Sequence, residues 1–282
     1  MHELTVSIVS HGHKEYLDAC LDSVFRASGS VDLEVYLVVN TPGDGTETLV
    51  RSRYPSVRVL ANQRPRGFSE NNNRVYRATR SKYFLLLNPD TVAFDGSLAR
   101  LVGFLDETPQ AGACGPKLVY PDGRLQLSCR YFPTIGSVLV RRTPLRKAFP
   151  NSKLARDYTM ADWDHNSVRE VDWVFGACLM VRRAAADSVG LLDEDLYLFC
   201  EDIDWCYRIK KAGWKIFYVP EAVVQHDLDD ASYERYWGRQ RFLHYASMYR
   251  YLKKHMVPWN RAKWLAGPHR NGRREARPDG GQ

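Results

Sequence analysis

Apolar residues recur along this chain in two rhythms that take turns. Thr5 to Ser10 (TVSIVS) is rich in β-branched residues and stops at His11-Gly12, which predicts a strand. Leu17, Cys20, Leu21, Val24 and Phe25 then fall at i, i+3, i+4, i+7 and i+8, the spacing of one helix face. The unit repeats: Leu33 to Val39, a turn-rich TPGDGT and a short helix; Val57 to Ala61 and a helix from about Ser69 to Arg80; then the strand Tyr83 to Leu87. A further helix is predicted near Ser97 to Glu107. From Pro116 to about Arg169 the period is lost, with a turn at Pro121-Asp122-Gly123, and this stretch is expected to hold an acceptor loop or lid. Order returns with Val171 to Val181, a helix from about Asp202 to Ala212, and Lys215 to Val219 running into Val223 to His226. Apolar strands that alternate with helices predict an α/β fold with a parallel sheet covered on both faces. Such sheets bind ligands outside the carboxyl ends of their strands, here at Ser10 to Gly12, Asn40 to Thr46, Asn62 to Phe68 and Asn88 to Asp90.

Composition narrows the class. The 282 residues are 44% hydrophobic and 12% aromatic, which excludes disordered and fibrous chains. The longest apolar stretches, Tyr83 to Leu87 and Val174 to Val181, fall far short of the ~18 residues a membrane span needs. The opening Met1-His2-Glu3 lacks a basic-then-apolar leader, so the expected location is cytoplasmic. The six cysteines (20, 114, 129, 178, 200, 206) form no C-x-x-C pair and are expected to be reduced core thiols. Charge is uneven: residues 231–282 hold 12 Lys and Arg against 3 Asp and Glu, whereas residues 1–230 hold 28 against 30. The expected division is a catalytic body (1–230), amphipathic aromatic and basic helices (231–266) and a flexible basic tail (267–282). Tyr233, Tyr236, Trp237, Tyr245, Tyr249, Leu252 and Met256 recur at near-helical spacing, with Arg235, Arg239, Arg250, Lys253 and Lys254 between them; Trp259 and Trp264 follow. That stripe has two readings, a face packed on the body or a surface for anionic membrane, in the latter case the inner face of the plasma membrane. No nucleic-acid fold accompanies the cations, and no nucleic acid is expected as partner.

Chemistry is sought at the strand ends. Asn88-Pro89-Asp90 delivers a carboxylate on a stiff turn, Glu201-Asp202-x-Asp204 opens a helix, and Gln225-His226-Asp227 ends a strand. Each motif alone is as well explained by turn or cap chemistry. Together they supply oxygen and imidazole ligands for Mg²⁺ or Mn²⁺ beside a phosphorylated ligand, and a carboxylate left for proton transfer. No G-x-x-x-x-G-K-[ST], G-x-G-x-x-G or G-x-S-x-G occurs, so P-loop, dinucleotide-binding and serine-hydrolase readings have no support.

These stretches resemble glycosyltransferase family 2, and within it the bacterial rhamnosyltransferase-like branch, over residues 4–256. The matching segments are TVSIVSHG, NTPGDGT, GFSENNNR, FLLLNPDTV, PDGRLQ, FGACLMVRR and LLDEDLYLFCEDIDWCYRIKKAGWKIFYVPEAVVQH. The resemblance implies the GT-A type of α/β fold, a Rossmann-like, mostly parallel sheet flanked by helices, with a C-terminal helical extension. It implies an inverting, metal-dependent transferase in which Asp90 and His226 meet the metal and the donor diphosphate and Asp202 is the general base. Trp173 and Glu201 would shape the acceptor pocket, while Ser10, Asn40, Asp44, Gly67, Asn72 and Asn88 would lie along the nucleotide sugar. Val39 stands where family members carry an acid, which leaves base recognition to Asn40 or Asp44. The implied donor is dTDP-rhamnose, with a UDP-hexose as the alternative, and the implied acceptor a saccharide, often lipid-linked. A non-catalytic membrane- or polyanion-binding relative is the alternative from another class. A helix N-terminus is expected to keep Asp202 ionised at some cost in basicity.

Overall fold

The computed structural model describes residues 2–142, 152–227 and 239–256. β1 (Leu4–Ser10) is buried at every position and leads through a 3₁₀ turn (Lys14–Tyr16) into α1 (Leu17–Ala27). β2 (Leu33–Val39), α2 (Thr46–Arg53), β3 (Arg58–Ala61), α3 (Phe68–Ala78) and β4 (Tyr83–Leu87) complete the alternation that the periodicity predicts. β3, β2, β1 and β4 are parallel neighbours in that order, so their C-terminal loops open on one edge. Side chains alternate between two cores: Tyr83, Leu85 and Leu87 pack with α1 and the next helix, while Phe84 and Leu86 pack on the opposite face.

The second half departs from a parallel sheet. β5 (Thr91–Ala93) and α4 (Ser97–Glu107) precede β6 (Ala111–Val119), a strand that its Gly and Pro residues hide from a propensity reading. Those residues have positional reasons. A Cβ on Gly112 would come within 2.7 Å of Trp214 Cβ, and one on Gly115 within 2.8 Å of Val174 Cγ2. Pro116 pairs with Val219 where the register of the neighbouring strand shifts, a place that tolerates a missing N–H. The aperiodic stretch is built of short pieces: β7 (Leu125–Gln126), β8 (Cys129–Arg130), α5 (Ile135–Arg142), α6 (Lys153–Thr159) and β9 (Arg169–Val171). Residues 171–181 are not one strand. β10 (Trp173–Val174) pairs with β8, and β11 (Cys178–Arg182) runs antiparallel between β4 and β6. After α7 (Arg183–Val189) and α8 (Glu201–Lys211), β12 (Lys215–His226) returns parallel to β6. The sheet order is β3-β2-β1-β4-β11-β6-β12-β5, with β7 on β6 and β9 on β12.

α9 (Arg239–Met256) lies against the segment that carries α8. Ser247 Oγ donates to the Leu198 carbonyl at 2.8 Å, Arg250 to the Asp195 carbonyl at 2.6 Å, and the His244 ring stacks 4.7 Å from Phe199. Met248 and Tyr251 are buried, which supports the packed-stripe reading for this face; Phe242 and Tyr249 are 72% and 66% exposed on the other. Tyr233, Arg235, Tyr236, Trp237, Trp259, Trp264 and the tail 267–282 lie outside the described residues. No helix among the described residues is long and apolar enough to cross a membrane.

The docking of α9 centres on a buried carboxylate. Asp204 accepts from Arg208 Nε at 2.8 Å, His255 Nε2 at 2.6 Å and Lys254 Nζ at 2.9 Å. Burial alone would raise its carboxyl, but the His255 hydrogen bond and the Arg208 and Lys254 charges outweigh that and hold it at about 2. A depressed folded value stabilises above the unfolded value and is lost as pH falls towards about 2. Asp204→Asn is therefore expected to cost on the order of 2 kcal/mol at pH 7. The gap in melting temperature between wild type and variant should close as calorimetry is repeated from pH 5 down to 2. A gap independent of pH would mean that the carboxylate charge does not hold the helix.

Candidate active site

Asn88, Pro89 and Asp90 leave the C-terminal end of β4, and His226 ends β12. β5 pairs antiparallel with β12, Thr91 opposite His226, and this register brings Asp90 alongside the imidazole. His226 Nε2 lies 3.5 Å from Asp90 Oδ1 and 3.4 Å from Asn88 Nδ2, and the Asp227 N–H donates to the Asp90 carbonyl at 2.9 Å. His226 Nδ1 donates to Gln126 Oε1 at 2.8 Å, which leaves the lone pair on Nε2. Burial pulls His226 down to about 4, so the ring is neutral at pH 7. Asp90 Oδ1 is buried with no hydrogen-bond partner, and burial raises its carboxyl. The partnerless Asp90 Oδ1 and the imidazole lone pair thus face each other, a donor set that fits a divalent cation. Among the described residues no three His, Cys, Asp or Glu side chains gather to hold one alone, so remaining ligands would come from phosphate and water.

The base candidate is joined to this pair through the backbone. The Asn88 N–H donates to the Ala177 carbonyl at 2.9 Å, and the adjacent Gly176 N–H donates to Asp202 Oδ2 at 3.0 Å. A Cβ on Gly176 would sit 3.4 Å from Asp202 Cβ, in van der Waals contact, so the two segments are packed directly against each other. The Ile203 N–H takes Asp202 Oδ1 at 2.8 Å. Phe199 and Cys200, immediately before the helix, both have left-handed backbone, φ 70° and 67°. Two such non-glycine residues cost on the order of 1 kcal/mol or more each and persist because the surroundings hold them.

Electrostatics reverses one expectation. The helix N-terminus was expected to dominate at Asp202, but burial outweighs it and raises the carboxyl, with the Gly176 and Ile203 amides and the Arg130 charge pulling back. Glu201 is raised well above its ordinary value by burial and by Asp202, and its Oε2 has no partner. Two amides favour the charged form of the half-buried Asp202 whereas Glu201 Oε2 has no donor, so Glu201 is the carboxyl of the pair pushed further towards holding a proton.

The loops of β1 to β3 hold the other candidates, and the structure separates them. Ser10 Oγ, at the end of β1, is buried without a partner. Asp44 uses Oδ1 to accept the Thr46 N–H at 2.9 Å and has a second buried oxygen unspent. Asn40 is committed: Oδ1 accepts from Asn62 Nδ2 and the Arg66 N–H, both at 2.8 Å, and Nδ2 donates to the Arg66 carbonyl at 3.0 Å. Of the two residues left for base recognition, only Asp44 has free capacity. Asn72 does not face the crevice; it accepts from Ser7 Oγ at 2.7 Å and donates to the Phe68 carbonyl, pinning α3 to β1. Gly67 opens α3 where a Cβ would meet Tyr197 backbone at 3.1 Å, so it serves close packing of the loop before α8. Trp173 is buried, its indole N–H on the Tyr131 carbonyl at 2.9 Å, so it backs a wall and offers no stacking face. Sequence reasoning missed Gly176, Gln126, Asp204 as a docking point and Arg130. Gln126 closes the quoted PDGRLQ segment, but without the fold nothing ties it to His226.

Three comparisons bear on this geometry. A family model described as glycosyltransferase-like family 2 matches residues 2–242. The N-acetylglucosaminyl-diphospho-decaprenol L-rhamnosyltransferase of Mycobacterium tuberculosis is 31% identical over 79% of this chain and 75% of its own length. The rhamnosyltransferase WbbL of Escherichia coli is 25% identical over 91% of this chain and 95% of its own. Among solved structures, a mannosyltransferase from Pyrobaculum calidifontis in complex with GDP-Man and Mn²⁺ aligns with a TM-score of 0.59 at 18% identity, covering 88% of this chain and 64% of that one. GalNAc-T7 with UDP, GalNAc and Mn²⁺ gives the same TM-score at 17% identity, over 81% of this chain and 44% of that one. This chain thus spans less than two thirds of either structure, and the likeness shows the GT-A fold.

The Glu201 assignment is tested by stability against pH. A raised folded value means that the native state binds a proton the unfolded chain releases, so stability falls as pH rises above the unfolded value near 4.5. Glu201→Gln is expected to melt above wild type at pH 8, with the difference vanishing towards pH 4.5. A variant that melts below wild type at pH 8 would contradict the assignment.

Proposed function

The chain belongs to glycosyltransferase family 2, and from that premise we propose that it moves L-rhamnose from dTDP-rhamnose, with inversion, to a hydroxyl of a lipid-linked saccharide in cell-surface polysaccharide synthesis. The observation that carries the reading is the short backbone bridge between Asn88 and Asp202, which joins a phosphate-and-metal pole to a proton-accepting pole at one sheet edge. The donor sugar is supported by the two relatives named as rhamnosyltransferases, and the acceptor class by the diphospho-decaprenol in the name of one.

Asp90 and His226 would hold Mg²⁺ or Mn²⁺ at the donor diphosphate, with Asn88 beside them. When bound, such a cation neutralises charge on the departing nucleoside diphosphate. Asp44, through its unspent oxygen, would recognise the nucleotide base, and Ser10 would donate to the nucleotide. Asp202 takes the proton of the acceptor hydroxyl. Burial makes it a stronger base than an exposed aspartate, while Glu201, by holding the shared proton, leaves Asp202 ionised. Attack from the base side with departure from the metal side inverts the anomeric carbon and requires no covalent intermediate. The exposed Phe242 and Tyr249 of α9, with Lys253 on the same helix, support a peripheral position on the inner face of the plasma membrane.

The two poles respond to different substitutions. Asp202→Asn is expected to lower turnover by about 10²–10⁴-fold, as the loss of a general base does, while leaving nucleotide binding intact. Thermal stabilisation by dTDP, UDP and GDP with and without Mn²⁺ reads the other pole; a ligand at 100 times its Kd adds ~2.7 kcal/mol. Wild type and Asp202→Asn should both be stabilised by dTDP in a Mn²⁺-dependent way, and Asp90→Ala should not. Selective stabilisation by UDP would make the donor a UDP-hexose. Undiminished turnover in Asp202→Asn would remove the base.

A further inference from the structure

Between the two poles runs the segment Gln126 to Arg130, to which the chemistry above gives one atom of work, the Gln126 oxygen on His226. Its far end reaches the base. The Arg130 guanidinium lies 4.7 Å from the centre of the Phe175 ring, 5.5 Å from Tyr158 and 5.7 Å from Trp173. Phe175 precedes Gly176, whose N–H holds Asp202, and the Phe175 N–H itself donates to the Ser128 carbonyl at 2.9 Å.

What this segment offers is unspent hydrogen-bonding capacity, most of it donors. Gln126 Nε2 and Ser128 Oγ are buried and have no partner, on residues each 2% exposed. Among the described residues, Arg130 makes two long contacts, from Nε and Nη2 to the single Leu127 carbonyl at 3.4 Å, and no ion pair. Three rings hold this guanidinium, yet most of its five N–H groups remain free. Leaving the buried Gln126 and Ser128 groups unpaired is costly, and an oxygen-rich anion that also met the half-buried Arg130 fork would relieve that cost. A planar fork held by aromatic faces suits the oxygens of phosphate.

We infer that Arg130 and Ser128 form a subsite for the diphosphate of the acceptor, a sugar joined through diphosphate to a lipid, with Gln126 at its inner edge. This deepens the lipid-linked acceptor reading and rests on it. Two diphosphates enter the crevice. The donor's is met by Asp90 and His226, whereas Arg130 stands at the Asp202 end, where the acceptor hydroxyl gives up its proton. A sugar one ring wide would put its own diphosphate near the base.

Binding tests this without turnover. Calorimetry with saturating dTDP and Mn²⁺ would compare an N-acetylglucosaminyl diphosphate carrying a farnesyl chain with the farnesyl glycoside that lacks phosphate. Wild type is expected to bind the diphosphate probe about tenfold or more tighter, the discrimination of one charge-assisted contact. Arg130→Gln should lose that preference, Arg130→Lys keep part of it, and Ser128→Ala reduce it a few-fold, with binding of the phosphate-free probe and stabilisation by dTDP unchanged. No preference in wild type, or a preference that survives in Arg130→Gln, overturns the subsite. Loss of dTDP stabilisation in Arg130→Gln with the acceptor preference intact also overturns it, by assigning the strip to the donor. Rhamnosyl transfer is scored separately: diphosphate preference without transfer fails the donor reading and upholds the subsite, and transfer without preference does the reverse.

Discussion

The turn at Gly176 and Ala177, just before β11, sets the arrangement of the whole crevice. Its carbonyl holds the start of the Asn88-Pro89-Asp90 loop and its amide holds the Asp202 carboxylate, so two groups distant in sequence are fixed relative to each other by rigid backbone. This turn exists because β11 runs antiparallel beside β4, with Cys178 opposite Leu87 at the edge where every parallel strand presents its loop.

The body behind Asp202 is arranged to hold a costly conformation. Phe199 and Cys200 keep left-handed backbone directly before α8, and the same stretch receives hydrogen bonds from Ser247 and Arg250 of α9 and a stacked ring from His244. Asp204, two residues beyond Asp202, anchors that helix through His255 and Lys254. From the other side, α3 grips the loop through Phe68 and Ser69, which donate to the Tyr197 and Leu196 carbonyls. The C-terminal helix is therefore part of the apparatus that aims the carboxylate.

Local rules were enough for the first half of the fold. β1 to β4 are predominantly apolar and β-branched, and turn residues punctuate them, so period and punctuation revealed them, and the strand-end rule pointed to Asp90, Asp202 and His226. Propensity failed at β6, where Gly112, Gly115 and Pro116 are present for contacts with Trp214, Val174 and a register shift that only the folded sheet explains. It failed again at the antiparallel β11, because a short apolar run carries no sign of its direction. Among the site residues, Asn72 and Asn40 show why composition misleads. An asparagine near a loop has the same letter whether its amide faces a ligand or, as here, ties β1 to α3 or one loop to another. Gln126 and Arg130 were invisible for the complementary reason, since their meaning depends on His226 and Phe175, which the sequence does not place beside them.

In the proposed reaction, a base on one side of the sugar and a leaving diphosphate on the other dictate the stereochemistry of the product. The decisive measurement is the anomeric configuration of the linkage formed from dTDP-rhamnose, read by NMR on the product and on the donor in the same reaction. The opposed poles predict a configuration inverted from that of the donor, with no glycosylated protein detectable by mass spectrometry during turnover. Retention, or a covalent glycosyl adduct, would contradict Asp202 as a base acting across from the metal-side pair.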